Sequence, residues 1–195
     1  MVARAGIGSR VVLVCLAAAW IAAGGGIRGA GTSPGSLSEY RIEAAYLYYF
    51  STYVEWPTEK FSRGGDTLVI GVLGEDPFGD LLDETIRGKT VNNRRLIVKR
   101  MDGLKEAREC HILFISSSEQ GRLPLVLKAL EGATVLTVGD IEQFASRGGQ
   151  IGFRMEDKRV RFDINVSAVE RARLKISSQL MKLGRIVRET GREAG

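Results

Sequence analysis

Apolar and polar positions alternate along this chain with two different periods. From about Glu39 to Trp56, Ile42, Tyr46, Tyr49 and Tyr53 recur at helical spacing, with Leu47, Phe50 and Val54 beside them. That spacing predicts a helix with a wide apolar face, ended by Pro57. Leu68–Leu73 (LVIGVL) is a short apolar run rich in β-branched residues between Gly64–Gly65 and Gly74, the pattern of a strand buried on both faces. A helix is expected from Pro77 to about Ile86, with proline in its first turn. Strands are expected at Arg95–Lys99 and His111–Ile115, a helix over 119–130 opened by Ser116 and Glu119 in capping-box spacing, and a strand at Thr134–Val138. Asp140 is placed to cap a short helix to about Ala145. Gln150–Met155 and Arg159–Ile164 alternate strictly around Glu156–Asp157–Lys158 and read as a hairpin, with helices over 165–173 and 177–188. Strands alternating with helices through short connections predict an α/β fold. It has three layers: a mostly parallel sheet with an antiparallel edge hairpin, flanked by helices.

The first 30 residues stand apart. Arg4 and Arg10 precede an apolar run from Val11 to Ala23, then Gly24–Gly26, which is the layout of a secretory signal peptide cleaved between 23 and 30. The run is short for a membrane anchor, which takes about 20 apolar residues. Cys15 lacks the small residue expected just before a lipidated cysteine. The expected organisation is a signal peptide over 1–30, a flexible lead-in over 31–38, one domain over 39–188 and a tail over 189–195. Export to the periplasm follows from that leader.

Charge then changes the picture. The 195-residue chain carries a formal net charge of +5, but removing residues 1–30 takes away Arg4, Arg10 and Arg28 and no acid, leaving +2. Nucleic-acid binding loses its main support. The basic stretch from Arg171 to Arg192 reads as a solvated face, or as a surface for an acidic or membrane-proximal partner. Two cysteines and one histidine are too few for a structural zinc site, so neither metal nor cofactor is expected.

Catalytic motifs fail on spacing. Gly88–Lys89–Thr90 resembles the end of a phosphate loop, but Asp83 stands where the first glycine is required. Gly71 and Gly74 lack the third glycine of a dinucleotide fingerprint. Cys110 and His111 are adjacent on a strand and point to opposite faces, so they cannot pair as nucleophile and base. A hydrolase would have to join His111 to Ser116–Ser118, which lack a nucleophile elbow. The chain is not expected to be an enzyme. A ligand pocket could instead form at the strand ends from Gly74, Glu75, Asp76 and Phe78 with Ser116, Ser117 and Ser118.

The aromatic residues are the least ordinary feature. Tyr46, Tyr48, Tyr49, Phe50, Tyr53 and Trp56 lie within eleven residues and exceed one core-facing helical stripe. They fill one large core, face a partner or a second copy, or form a stacking platform. The partner reading assigns Tyr46, Tyr48, Tyr49, Tyr53 and Trp56 to the contact. Cys110 is a buried thiol, a redox sensor or an interchain bridge.

The segments Ala44–Pro57 (AAYLYYFSTYVEWP), Val69–Gly79 (VIGVLGEDPFG), Gly88–Val91, Glu109–Ser118 (ECHILFISSS), Leu136–Asp140, Gly148–Phe153 and Ile164–Leu183 resemble the YfiR/HmsC-like family over about 39–185. The resemblance implies a periplasmic α/β protein without known enzymatic activity. It implies inhibition of an inner-membrane diguanylate cyclase or sensor through its periplasmic domain, so repressing cyclic-di-GMP and biofilm output. Relief by an outer-membrane-linked lipoprotein and a homodimer are implied as well. Relatives often carry a strand cysteine where this chain has Gly71, so Cys110 is left as a free thiol or an interchain one. Tyr49 stands where relatives commonly have asparagine.

Overall fold

The computed structural model describes residues 34–61 and 65–190. The signal peptide expected over 1–30, with Cys15, lies outside the described residues, as do the start of the lead-in and the last five residues of the tail. Helix α1 (Pro34–Tyr53) is followed directly by β1 (Val54–Glu55), so the expected helix begins earlier and ends three residues sooner. Val54 and Glu55 leave it to pair antiparallel with Ile176 and Lys175, and Trp56 therefore stands beyond the helix.

The chain continues through β2 (Thr67–Leu73), α2 (Asp80–Ile86), β3 (Thr90–Val91), β4 (Arg94–Met101) and β5 (Ile112–Ile115). Then come α3 (Leu123–Ala129), β6 (Leu136–Gly139), β7 (Ile151–Glu156), β8 (Arg159–Ile164) and α4 (Val166–Arg171). β9 (Lys175–Ile176), α5 (Ser178–Leu183) and β10 (Arg185–Ile186) complete it. β1 and β9 form a small ribbon, and the other eight strands form one sheet in the order β10-β8-β7-β6-β5-β2-β4-β3. The five strands from β4 to β7 run parallel to their neighbours, with antiparallel pairs at β3–β4 and β7–β8. The β7–β8 hairpin is one strand in from the border, because β10 pairs parallel with β8 outside it.

Period-2 alternation in the central strands supplies two cores, as expected for a sheet covered on both faces. Leu68, Ile70, Val72, Ile112 and Phe114 pack with Ala44, Leu47 and Phe50 of α1 and with Leu82 and Ile86 of α2. Leu73, Leu113 and Ile115 pack on the other side with Leu123 and Val126 of α3. The hairpins turn through Asn92–Asn93 (φ 50° and 63°) and Asp157–Lys158 (φ 49° and 59°), left-handed pairs that suit the twist of antiparallel strands.

Four expected helices start late, stop early or fail to form. Pro77 precedes α2 because the Phe78 N–H donates to Asp76 Oδ1 at 2.8 Å, a side-chain turn that delays the helix. Residues 117–122 form 3₁₀ turns before α3, with Pro124 in the α-helix's opening turn. After Asp140 there is a run of turns and no helix, with Gln143 at φ 57°. The helix expected to 188 stops at Leu183, because Arg185 leaves it to grip Asp163 with Nε at 2.9 Å and a terminal nitrogen at 2.6 Å. Asp163 also accepts from Arg154 Nε at 2.8 Å, which fastens β10 to the sheet.

Candidate functional site

The rings of α1 divide by position. Leu47 and Phe50 are fully buried, and Tyr46 lies over them, half-buried, stacked on Phe50 (5.9 Å between centroids) and edge-on to Phe162 (5.2 Å). Tyr48 is half-buried under the Lys89 ammonium, 4.1 Å from the ring centre. Tyr53 is half-buried against the same core, and Trp56 donates from Nε1 to the His111 carbonyl at 3.1 Å. Tyr49 faces outward, 50% exposed, one heptad from Ile42 at 45%. The structure thus takes most of the aromatic surplus inward. α1 lies between α2, α5 and β8, so its covered arc is wider than the ordinary stripe of about 100°.

The sheet grows away from β2 in both directions, β4 to one side and β5 to the other. The crevice beyond the carboxyl ends of those strands is where open α/β sheets hold ligands. A cavity of about 400 Å³ lies there, lined by Glu75, Asp76, Ser116, Ser117 and Ser118 from the expected set, with Tyr40 and Pro77 added. Two members of that set do other work. Phe78 is in the core, edge-on to Phe114 at 4.7 Å, because the side-chain turn at Asp76 directs it inward. Gly74, at φ 88°, lets the chain pass Ser118: a Cβ there would lie 2.4 Å from Ser118 Oγ, which accepts the Glu75 N–H at 3.0 Å. Arg100 holds Asp76 (2.6 Å) and Asp83 (2.5 Å).

Behind the cavity sit groups that spacing does not reveal. Tyr40 donates to Asp140 Oδ2 at 3.4 Å, and Ser117 also bonds Asp140. Asp140 Oδ1 and Glu43 Oε2 are buried with no hydrogen-bond partner. Burial, then the charges of Asp140 and Glu39, pushes the Glu43 carboxyl up to about 9, so it is neutral at pH 7. Burial also raises Asp140, against hydrogen bonds from its own backbone and Ser117 that stabilise its charged form. Tyr40 is pushed up to about 12, by burial first and Asp140 next.

At the opposite end of β5, His111 accepts the Val69 N–H on Nδ1 at 3.1 Å, which leaves its proton on Nε2, a buried donor without an acceptor. Phe61 stacks on the imidazole at 4.7 Å, and Arg94 lies over the Phe61 ring at 3.9 Å. Burial, then Lys60 and Arg94, pushes His111 down to about 4. The hydrolase reading fails on this geometry. His111 and Ser117 flank opposite ends of β5, roughly 20 Å apart at about 3.3 Å per residue. Cys110 is fully buried and its thiol is pushed up to about 11 by burial, far from the exposed, low-pKa setting of a reactive thiol. A Cβ on Gly71 would lie 2.6 Å from its sulfur. Among the described residues no group of three or more His, Cys, Asp or Glu is placed to hold a metal, and no helix is long and apolar enough to cross a membrane. A groove of about 610 Å³ between α3 and α4 had no sequence signal; Leu127, Ala168 and the Arg171–Glu189 pair line it.

The profile of the YfiR/HmsC-like family matches residues 40–185. Among solved structures, an "ABC domain in complex with L-Trp from Streptococcus pneumonia" superposes with a TM-score of 0.51 at 9% identity. The match covers 74% of this chain and 60% of that one, and it shows a shared fold.

Proposed function

The chain belongs to the YfiR/HmsC-like family, and from that premise we propose that it is a periplasmic regulator acting by protein contact and not by catalysis. Its target is the periplasmic part of an inner-membrane signalling protein of the diguanylate cyclase type, and its output is repression of cyclic-di-GMP synthesis and biofilm. A homodimer and relief by an outer-membrane-linked lipoprotein belong to the same reading. The observation that supports it best is the outer face of α1. Tyr49 and Ile42 are half exposed on one side of a helix whose other rings are engaged, and tyrosine is enriched at protein interfaces because it joins a large apolar area to a polar hydroxyl. Tyr46 and Tyr53 flank that stripe at helical spacing and contribute their uncovered edges. Tyr49→Lys combined with Ile42→Lys is expected to abolish capture of the cyclase's periplasmic domain and to raise cyclic-di-GMP in cells as deletion does. Retained capture by the double variant would sink this assignment.

A second reading, a small-ligand sensory module, is favoured by the cavity at the carboxyl ends of β2 and β5. A saturable rise in unfolding temperature with a small solute supports it, since a ligand that binds only the folded state stabilises by mass action.

A further inference from the structure

The acids behind that cavity lack the counter-charge that buried carboxyl groups ordinarily find. Glu43 is 94% buried yet its Oε2 meets no donor, and the same holds for Asp140 Oδ1. The charges acting on Glu43 come from Asp140 and Glu39, with no cation among them. Nearby, Asp76 is already taken by Arg100, and Glu75 adds further negative charge at the cavity wall. Tyr40 and Ser117 join the two features, for both line the cavity and both bond Asp140.

We propose that Glu43 and Asp140 form a receptor for a primary ammonium group, which reaches them past Tyr40 and Ser117 from the cavity that those two residues line, the cavity holding the body of a small organic amine. An ammonium presents three N–H donors. Glu43 Oε2 and Asp140 Oδ1 accept two of them, and a hydroxyl oxygen of Ser117 or Tyr40 accepts the third. A divalent ion suits the place less well, because calcium takes six or more oxygen ligands and among the described residues no group of three or more His, Cys, Asp or Glu is placed to hold an ion. The unliganded site keeps a proton on Glu43. When the ammonium enters, that O–H bond breaks, the proton passes to a buffer base, and the electron pair stays on the carboxylate facing the cation. The amine itself is unchanged. This inference rests on the ligand-pocket reading and specifies the chemistry of the ligand.

The test uses the purified protein with butylammonium chloride, against sodium butyrate, 1-butanol and sodium chloride at matched concentration. Unfolding temperature is read alongside calorimetry at pH 7.5 in two buffers of different ionisation enthalpy. A saturable rise in unfolding temperature with butylammonium alone is expected, together with release of close to one proton per site. Glu43→Gln is expected to bind at least tenfold more weakly and release no proton, and Asp140→Asn to lose the response. Glu43→Lys places its own ammonium in the neighbourhood of Asp140 and is expected to unfold at a higher temperature than the parent and ignore the probe. A butylammonium response no larger than that to sodium chloride, or one unchanged in Glu43→Gln, overturns the proposal. Saturable binding of butyrate or butanol in place of butylammonium would overturn the ammonium assignment and leave the pocket standing. Silence from all four solutes with no gain in Glu43→Lys overturns both.

Discussion

The two ends of the parallel sheet bury titratable groups of opposite kind. Beyond the carboxyl ends of the strands lie Glu43, Asp140 and Tyr40, all pushed upward: Asp140 by burial alone, against its hydrogen bonds, and Glu43 and Tyr40 by burial first and neighbouring carboxylates next. At the amino end of β5 lies His111, pushed downward by burial and by Lys60 and Arg94. One physical cause, the cost of holding charge away from water, leaves Glu43 and His111 neutral at pH 7. It gives them opposite responses to pH. The folded protein keeps the Glu43 proton where the unfolded chain has lost it, so this contribution is full below about 4.5 and drains away as pH rises towards about 9. For His111 the unfolded chain takes up a proton near pH 6.5 that the folded protein refuses until about 4, so stability falls as pH drops through that window.

The largest effect should come from Glu43→Gln, which removes the alkaline arm. Its unfolding free energy is expected to exceed the parent's by about 2–4 kcal/mol at pH 8 and to match it within about 1 kcal/mol near pH 4.5. Urea titrations across that range read this directly, and a parallel pair of curves would break the comparison. Next in size, Gly71→Cys under oxidising conditions should bond to Cys110, whose sulfur lies 2.6 Å from a Cβ at that position. Closing that loop is expected to stabilise by about 2–4 kcal/mol. Because it ties β2 beside His111, it should leave the alkaline response untouched, a result that non-reducing electrophoresis and the same titrations would sharpen.

His111→Leu comes third. It strips the Val69 N–H of its acceptor and should cost about 1–3 kcal/mol at pH 7, with the deficit shrinking towards pH 4.5 as the imidazole's acid penalty disappears. The smallest effect belongs to Tyr49→Ser. Its ring is half exposed, so folding stability should change by no more than about 0.5 kcal/mol at any pH. A larger loss would mean that this ring serves the protomer's own fold.

Long apolar runs made the sheet legible. LVIGVL and HILFI announce strands because runs of six and five residues without an acid, lysine or arginine leave few other readings, and Asp157–Lys158 marks its hairpin by the alternation on either side. β1, β9 and β10 were not legible, since two residues carry no period and each depends on a partner far along the chain. The cavity was partly legible, because the carboxyl ends of β2 and β5 follow from strand placement alone. Glu43 was not. On a helical wheel it reads as a polar interruption of an apolar face, and only the approach of Asp140, almost a hundred residues away, turns it into a buried acid without a counter-ion. The aromatic helix misled in the other direction: counting rings assumed one covered stripe, whereas packing against α2, α5 and β8 engages more of the circumference.

Both borders of the main sheet finish in stubs, Thr90–Val91 on one side and Arg185–Ile186 on the other. Open ladder rungs are what let strangers zip onto a β-protein, and each stub covers only two residues of its neighbour, leaving Leu96–Met101 of β4 and Arg159–Phe162 of β8 with no strand on the outer side among the described residues. Lys99, Arg100, Arg159 and Arg161 set positive charge along those open rungs, and that charge, rather than the stubs, steers association with another polypeptide away from backbone templating and toward side-chain surfaces.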